Sequence, residues 1–306
     1  MKIAVCLHGK FSGKNLRNQT QSFDLAYDYF KKNFLNNYNI DTYLHGWDDN
    51  PEDTKRLLKK FKPLKFKIEK QKKFKTPKLK YKMKKTGPWS AKKKFFNYYS
   101  RLYSLKECFK LVKKKYDYIL VMRYDCIFYK KIKFDLLKKN TFYVSNWSRL
   151  NKGYGFTDGW FLSDQKIMRK IAYTYDRLNF YYKNNSKYIN FILSGPELNE
   201  DSISSFHPIL KFRIKELNLE KNINTLGYQF LTWGLVRDKF NKFNPAGVPD
   251  IDVNIPCKNF KKIKFKRIIL NKILNVIYIK PVHFIKEKKY SKFFNFKYIN
   301  YLCLLI

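Results

Sequence analysis

The segment YDYILVMRYDCIF, residues 116–128, limits the fold more than any other stretch of the chain. Ile119 to Met122 are four apolar residues in a row and read as a strand buried on both faces. Arg123 and Asp125 follow at once, although taking charge into a core costs several kcal/mol of lost hydration. Either the pair lies where the strand leaves the core, or the segment is no strand. Residues 2–7 (KIAVCL) form a second compact apolar run, ending in the two-glycine stretch HGKFSG.

Between these runs the periodicity changes. Phe23, Tyr27, Phe30 and Phe34 mark one face of an amphipathic helix, roughly 17–35, which Asn36 and Asn37 end. Residues 41–45 (DTYLH) read as a second strand, ending in HGWDDNP. Tyr98, Leu102, Leu105, Phe109 and Val112 restore helical spacing over 96–114, ahead of the third strand at 117–122. Residues 141–145 (TFYVS) read as a fourth strand. Ser163 is placed to cap a helix carrying Ile167, Met168, Ile171, Tyr175 and Leu178, and a further helix is expected over 207–218. This order of strands and helices is that of an α/β protein.

Two stretches depart from it. Residues 55–94 hold 19 Lys or Arg against one acid, Glu69, with three prolines and no lasting apolar period. They read as a long basic insertion or mobile loop, either merely solvated or an arm for an anionic partner. From Cys257 the chain carries 13 Lys or Arg against Glu287, with Ile, Phe and Tyr interleaved. This basic aromatic tail, 256–306, is either an amphipathic membrane-surface segment or ordinary helices that close a first domain spanning 1–255.

The formal charge of +41 invites a nucleic-acid reading. Only ten of the 65 basic residues are Arg, the better reader of phosphates and bases, and the excess Lys accompanies abundant Asn, Ile, Tyr and Phe. Compositional bias accounts for that set without a nucleic-acid partner. Five scattered Cys with no CxxC argue for free thiols in a reducing compartment and against a sulfur-bound metal. The N-terminal apolar run is too short for a signal peptide. The longest uncharged stretch, 15 residues at 222–236, falls short of the ~20 a spanning helix needs. A cytoplasmic protein, at most peripheral at a membrane surface, is expected.

The chemistry gathers after the strands. In open α/β sheets ligands bind at the carboxyl ends of strands. His8-Gly9-Lys10, His45-Gly46-Trp47-Asp48 and Arg123-Tyr124-Asp125 each follow a predicted strand, so parallel neighbours would bring all three to one rim. There Arg123 offers planar donors to phosphate oxygens, and Asp125, two residues on and on the same side, can hold a divalent cation. The alternative is an internal Arg–Asp ion pair that fixes a turn.

KIAVCLHGKFSG, DTYLHGWDDN, SRLYSLKECFKLV, YDYILVMRYDCIF and SNWSRLNKGYGFTDGWFLSDQKIM, in that order over roughly residues 1–220, resemble the GT-A-fold nucleotide-sugar glycosyltransferases of bacterial surface-polysaccharide loci and large viruses. The resemblance implies a Rossmann-like GT-A sheet flanked by helices, followed by the basic C-terminal extension. It implies hexosyl-type transfer from a nucleoside-diphosphate sugar to a glycan or lipid-linked acceptor in polysaccharide biosynthesis. The alternatives are a basic nucleic-acid- or surface-binding protein on an α/β scaffold, and a transferase-like fold without activity.

By the same resemblance, a metal-binding D-x-D would stand where this chain has Arg123-Tyr124-Asp125, with Arg123 in place of the first Asp. Asp125 would touch Mg²⁺ or Mn²⁺, or the donor itself, while Arg123 offsets diphosphate charge. His8, Gly9, Ser12, Gly13 and Arg17 would receive the nucleotide. The general base of an inverting transfer would come from Asp158, Glu197 or Asp201, with Trp160 stacking on a sugar and His207 as a second metal ligand. The plainer readings are a turn or cap for Asp158, helix-start acids for Glu197 and Asp201, and a helix-start residue for Arg17.

Overall fold

The computed structural model describes residues 1–14, 20–47, 50–81, 90–146, 155–195, 198–228, 233–235 and 254–256. The chain opens with β1 (Ile3–Lys10), a short hairpin of β2 (Ser12–Lys14) and β3 (Thr20–Ser22), and α1 (Phe23–Phe30), which widens into a π-helical turn at Lys31–Leu35. β4 (Ile40–Trp47), α2 (Pro51–Phe61), β5 (Lys65–Glu69) and the long α3 (Ala91–Lys110) follow. Next come β6 (Tyr118–Arg123), β7 (Cys126–Phe128), β8 (Phe142–Asn146) and β9 (Trp160–Ser163). The helices α4 (Gln165–Ala172), α5 (Leu178–Tyr181), α6 (Lys187–Leu193) and α7 (Phe206–Glu216) lead to β10 (Ile223–Tyr228), β11 (Trp233–Leu235) and β12 (Asn254–Pro256).

Eight strands form one mixed, Rossmann-like sheet in the order β12-β10-β8-β9-β6-β1-β4-β5. β1 pairs in parallel with both β4 and β6, and β4 with β5. β9 runs against both of its neighbours. Alternate residues of β1 face different layers. Ile3, Val5 and Leu7 join Phe23, Phe30, Leu57 and Phe61 of α1 and α2 on one side. Ala4 and Cys6 join α3, α4, α6 and α7 on the other. With helices on both faces no polar alternation is possible along β1 or β6, which is why both read as unbroken apolar runs.

The chain steps outward from β1 to β4 and β5, then α3 carries it back to β6 on the opposite side of β1. That reversal puts a topological switch point between β1 and β6, where an α/β sheet leaves a crevice at its carboxyl edge.

The stretch 55–94 is not a single loose insertion. It contains most of α2, the edge strand β5 and the start of α3. Asn50 caps α2 through Glu52 N–H, Pro51 opens it, and Lys62 ends it in the left-handed conformation. Residues 70–81 carry no regular structure, yet Phe74, Leu79 and Tyr81 pack against the core. Lysine at nearly every outward position hides this amphipathicity. At the edge of the sheet, lysine on β5 also discourages pairing with another chain.

Smaller expectations shift as well. The first helix begins at Phe23, since residues 20–22 are strand. The α4 cap is Asp164, whose carboxylate accepts from Ile167 N–H, while the Ser163 hydroxyl donates to the Thr141 carbonyl. Cys6, Cys108 and Cys126 are buried free thiols; Cys257, Cys303 and the predicted tail beyond Pro256 lie outside the described residues. Among the described residues no helix is long and apolar enough to cross a membrane.

Candidate active site

Register brings the three predicted segments to one rim, although His8 to Lys10, His45 to Trp47 and Arg123 are the last residues of β1, β4 and β6 rather than loop. His8 stands opposite His45 on one side and Arg123 on the other, Gly9 opposite Gly46, and Trp47 opposite Glu69. Gly9 takes φ +104°, a conformation strained for any residue with a Cβ, and so turns the chain at this edge.

Arg123 is the last residue of β6. Its Nε donates to Asp125 Oδ1 at 2.7 Å, and its Nη2 donates to Asp125 Oδ2, a two-pronged ion pair across a two-residue turn. Asp125 is only 2% exposed. Arg123 and Asp125 thus form an internal ion pair where β6 ends. Arg123 also reaches outward, with Nη1 3.4 Å from Asp158 Oδ2.

The backbone on either side of Asp158 is fixed by its neighbours. The Gly159 carbonyl accepts from Arg123 N–H, setting Asp158 beside the end of β6. A Cβ on Gly159 would lie 2.4 Å from the Trp233 ring, so only glycine allows this approach. Upstream, Gly155 takes φ +101° against the His207 carbonyl, and His207 Nδ1–H donates to the Phe156 carbonyl at 2.6 Å. His207 thus pins the segment that carries Asp158 to the start of α7.

The residue absent from the sequence reading is Arg101, on α3. Its Nη1 donates to the same Asp158 Oδ2 that faces Arg123, and its guanidinium stacks 4.4 Å from the Phe206 ring centroid. Nε and Nη2 of Arg101 are buried without a hydrogen-bond partner, and so are both ring nitrogens of His8. Burial drives the Arg101 guanidinium down to about 10 against the opposing pull of Asp158. Burial first, then the charges of Arg101 and Arg123, hold His8 well below the ordinary imidazole range, so it is neutral. Arg123 is shifted the other way because Asp125 and Asp158 outweigh its burial.

Behind this cluster runs a chain of polar contacts. Gly9 N–H donates to Ser104 Oγ at 2.8 Å, Ser104 Oγ meets His45 Nδ1 at 2.7 Å, and His45 Nε2 meets Glu69 Oε1 at 3.0 Å. Through it the helix α3 and the two strands β4 and β5 are tied to the glycine turn of β1.

The other predicted site residues are scattered. Ser12 and Gly13 lie on β2, beyond the glycine turn. Trp160 is fully buried in β9, packed against Phe128 and Trp233, so no face of its ring is open to a sugar. Asp201 lies in the first turn of a 3-10 helix, Glu200–Ser204, capped by Asn199, as a helix-start acid does. Arg17 and Glu197 lie outside the described residues.

Among the described residues, a divalent cation does not fit the groups at this rim. Both oxygens of Asp125 are taken by Arg123, and a guanidinium stands where a second carboxylate would have to be. Mg²⁺ and Mn²⁺ demand several oxygen ligands. Among the described residues no group of three or more His, Cys, Asp or Glu is arranged to hold one.

No protein-family model matches the chain, and no curated protein sequence does. Among solved structures it is similar to a putative nucleotide-diphospho-sugar transferase from Desulfovibrio desulfuricans G20, at 9% identity and TM-score 0.34, over 77% of this chain and 83% of that one. It is similar to the glycosyltransferase GlyE of Streptococcus pneumoniae TIGR4, at 15% identity and TM-score 0.31, over 70% of this chain but 43% of GlyE. It is also similar to mouse xyloside xylosyltransferase 1, at 11% identity and TM-score 0.32, over 68% of this chain and 82% of that one.

Proposed function

We propose that the protein is a glycosyltransferase that moves a sugar from a nucleoside-diphosphate sugar to a hydroxyl of a glycan or lipid-linked acceptor. The observation that carries this reading is the set of buried donors without acceptors at the switch point, Arg101 Nε and Nη2 beside His8. A buried polar atom left unpaired costs about 1–3 kcal/mol. Acceptor oxygens of an anionic ligand, delivered at the carboxyl edge of β1 and β6, would recover that cost. The sequence resemblance over residues 1–220 points to the same ligand class.

In the reaction, the bond between the anomeric carbon and the diphosphate oxygen breaks, and its electron pair leaves with the nucleoside diphosphate. The acceptor oxygen bonds the anomeric carbon, and its proton passes to a carboxylate. Positive charge at the leaving oxygens lowers the barrier. Arg101 and Arg123 supply it, and Asp158, with 31% of its side chain exposed, is the carboxylate that meets solvent. His8 donates a neutral N–H to a phosphate or ribose oxygen.

The test is a panel of nucleoside-diphosphate sugars, read first by thermal shift and then by release of the nucleoside diphosphate. A ligand at 100 times its Kd adds about 2.7 kcal/mol of stability. Stabilisation by one nucleotide class, with slow hydrolysis of its sugar, is the expected result. A flat response across uridine, guanosine, cytidine and adenosine donors refutes the reading.

A further inference from the structure

The cluster at the switch point poses an electrostatic problem. Arg101 and Arg123 are matched by Asp125 and Asp158, and His8 is neutral. Among these four described side chains, with the ion pairs closed, two positive and two negative charges cancel, so neither guanidinium offers unmatched charge to an incoming diphosphate. The two carboxylates are not equivalent, however. Asp125 is held by both oxygens and buried at 2% exposure. Asp158 reaches both guanidiniums through a single oxygen, Oδ2, and 31% of its side chain faces solvent. Asp158 also belongs to a loop rather than to a strand.

Building on the transferase reading, we infer that Arg101 and Arg123 form a metal-free seat for a pyrophosphate group, which the Asp158 carboxylate occupies until the ligand displaces it. The arrangement explains three observations together. Arg101 has two further buried nitrogens, Nε and Nη2, with no acceptor, which a carboxylate oxygen shared with Arg123 cannot satisfy but a many-oxygened pyrophosphate can. The Phe206 ring beneath Arg101 holds the guanidinium plane in place, so the donors stay aimed when Asp158 leaves. The Arg123–Asp125 clamp keeps Arg123 fixed through the exchange. Displacement also frees the Asp158 carboxylate beside the ligand, where it can take the acceptor proton. The base is therefore unmasked only when a donor is bound. This ordering keeps an activated carboxylate from acting before the sugar is in place.

The sign of one substitution separates this from the alternatives. A metal ligand or a direct ligand contact, when removed, weakens binding. A carboxylate that competes for the seat, when removed, strengthens it. The probe is inorganic pyrophosphate at physiological salt with EDTA present, titrated calorimetrically into the full chain. Asp158→Asn should bind pyrophosphate about tenfold more tightly than the parent, the order expected for one unit charge removed a few ångströms away at a partly solvated site. Arg101→Gln should lose most of the binding. Asp176→Asn, which removes a carboxylate paired with Lys106 on the surface, should leave it unchanged and so controls for net charge. Unchanged or weaker binding by Asp158→Asn, or a requirement for Mg²⁺, overturns the inference, as does no pyrophosphate binding in either protein.

A second measurement needs no variant. Carboxyl footprinting of the parent chain, read by peptide mass spectrometry, should show labelling at Asp158 rising several-fold with pyrophosphate bound. Equal or reduced labelling overturns the displacement. If pyrophosphate binds as described but no nucleoside-diphosphate sugar is turned over, the transferase reading falls and the seat stands.

Discussion

His8 carries the clearest trade between stability and function. Its imidazole is 1% exposed, neutral, and without a partner at either nitrogen. Leucine has nearly the same volume and no polar atom to leave unpaired. His8→Leu should therefore raise unfolding stability by about 1–3 kcal/mol in urea, while weakening nucleotide binding. A loss of stability would show that the imidazole is satisfied in solution. Asp125 makes the opposite case. Asp125→Asn leaves Arg123 buried with half its compensation, and should cost about 3–5 kcal/mol. Replacing both partners, Arg123→Met with Asp125→Leu, should recover most of that, and urea unfolding of the two variants measures the difference. An Asp125→Asn variant as stable as the parent would rule out the clamp. The Arg–Asp pair was legible as a pair, because charges directly after an apolar run have few places to go. Arg101 was not, because it sits in a helix whose apolar spacing absorbs attention. Its signal was composition: in a chain with 55 Lys and ten Arg, an Arg is a candidate for a place that needs planar, forked donors. Trp160 was misread because an aromatic residue beside an acid looks the same in sequence whether its ring faces a sugar or a second tryptophan.

Among the elements, α3 is the one that organises the site. Its Tyr98, Leu102, Leu105 and Phe109 bury one face against the sheet. Arg101 and Ser104 meet the carboxyl edge from the same helix. Ser104 is fully buried and answers both Gly9 N–H and His45 Nδ1. Ser104→Ala should cost about 1–3 kcal/mol, since two buried polar groups lose their partner while little volume changes. It should also loosen the glycine turn, seen as faster amide exchange at Gly9 than at Val5 on the same strand. Exchange that stays uniform along β1 would mean the turn does not depend on the helix. The strands β1, β4, β6 and β8 and the helices α3, α4 and α7 were readable from periodicity, because helices on both faces force apolar runs and one-sided packing forces the 3.6-residue repeat. β9 was not. Its four residues WFLS are too few to show a period, and they follow a glycine-rich stretch that reads as loop. α2 and β5 were hidden by lysine, whose long apolar stem covers hydrophobic surface while its charge masks the pattern.

At the scale of the whole molecule, the buried histidines and the lysine-paired carboxylates give stability a two-stage dependence on pH. His8 and His45 both have imidazoles held below their ordinary value of 6.5, chiefly by burial. The unfolded chain then binds protons that the folded chain does not, so their contribution is present above pH 6.5 and is lost as pH falls through that value and below. Glu107, joined to Lys67 and Lys110, is held down to about 2, and Glu69 is lowered by His45 and Lys67. Their contribution is present above about pH 4.5 and disappears as pH approaches 2. Urea unfolding between pH 8 and pH 3 should therefore show a first decline below pH 6.5 and a second below pH 4.5. His8→Leu should flatten only the first. Salt distinguishes the two further. As carboxylates protonate, the chain's formal charge rises above +41 and its lysines repel one another across the surface. Added salt screens those exposed charges and should restore part of the second decline. The first comes from desolvation of enclosed imidazoles, which screening reaches poorly, so it should persist at high salt. A single decline that salt removes throughout would mean surface charge alone governs the acid response, and that neither histidine is buried neutral in solution.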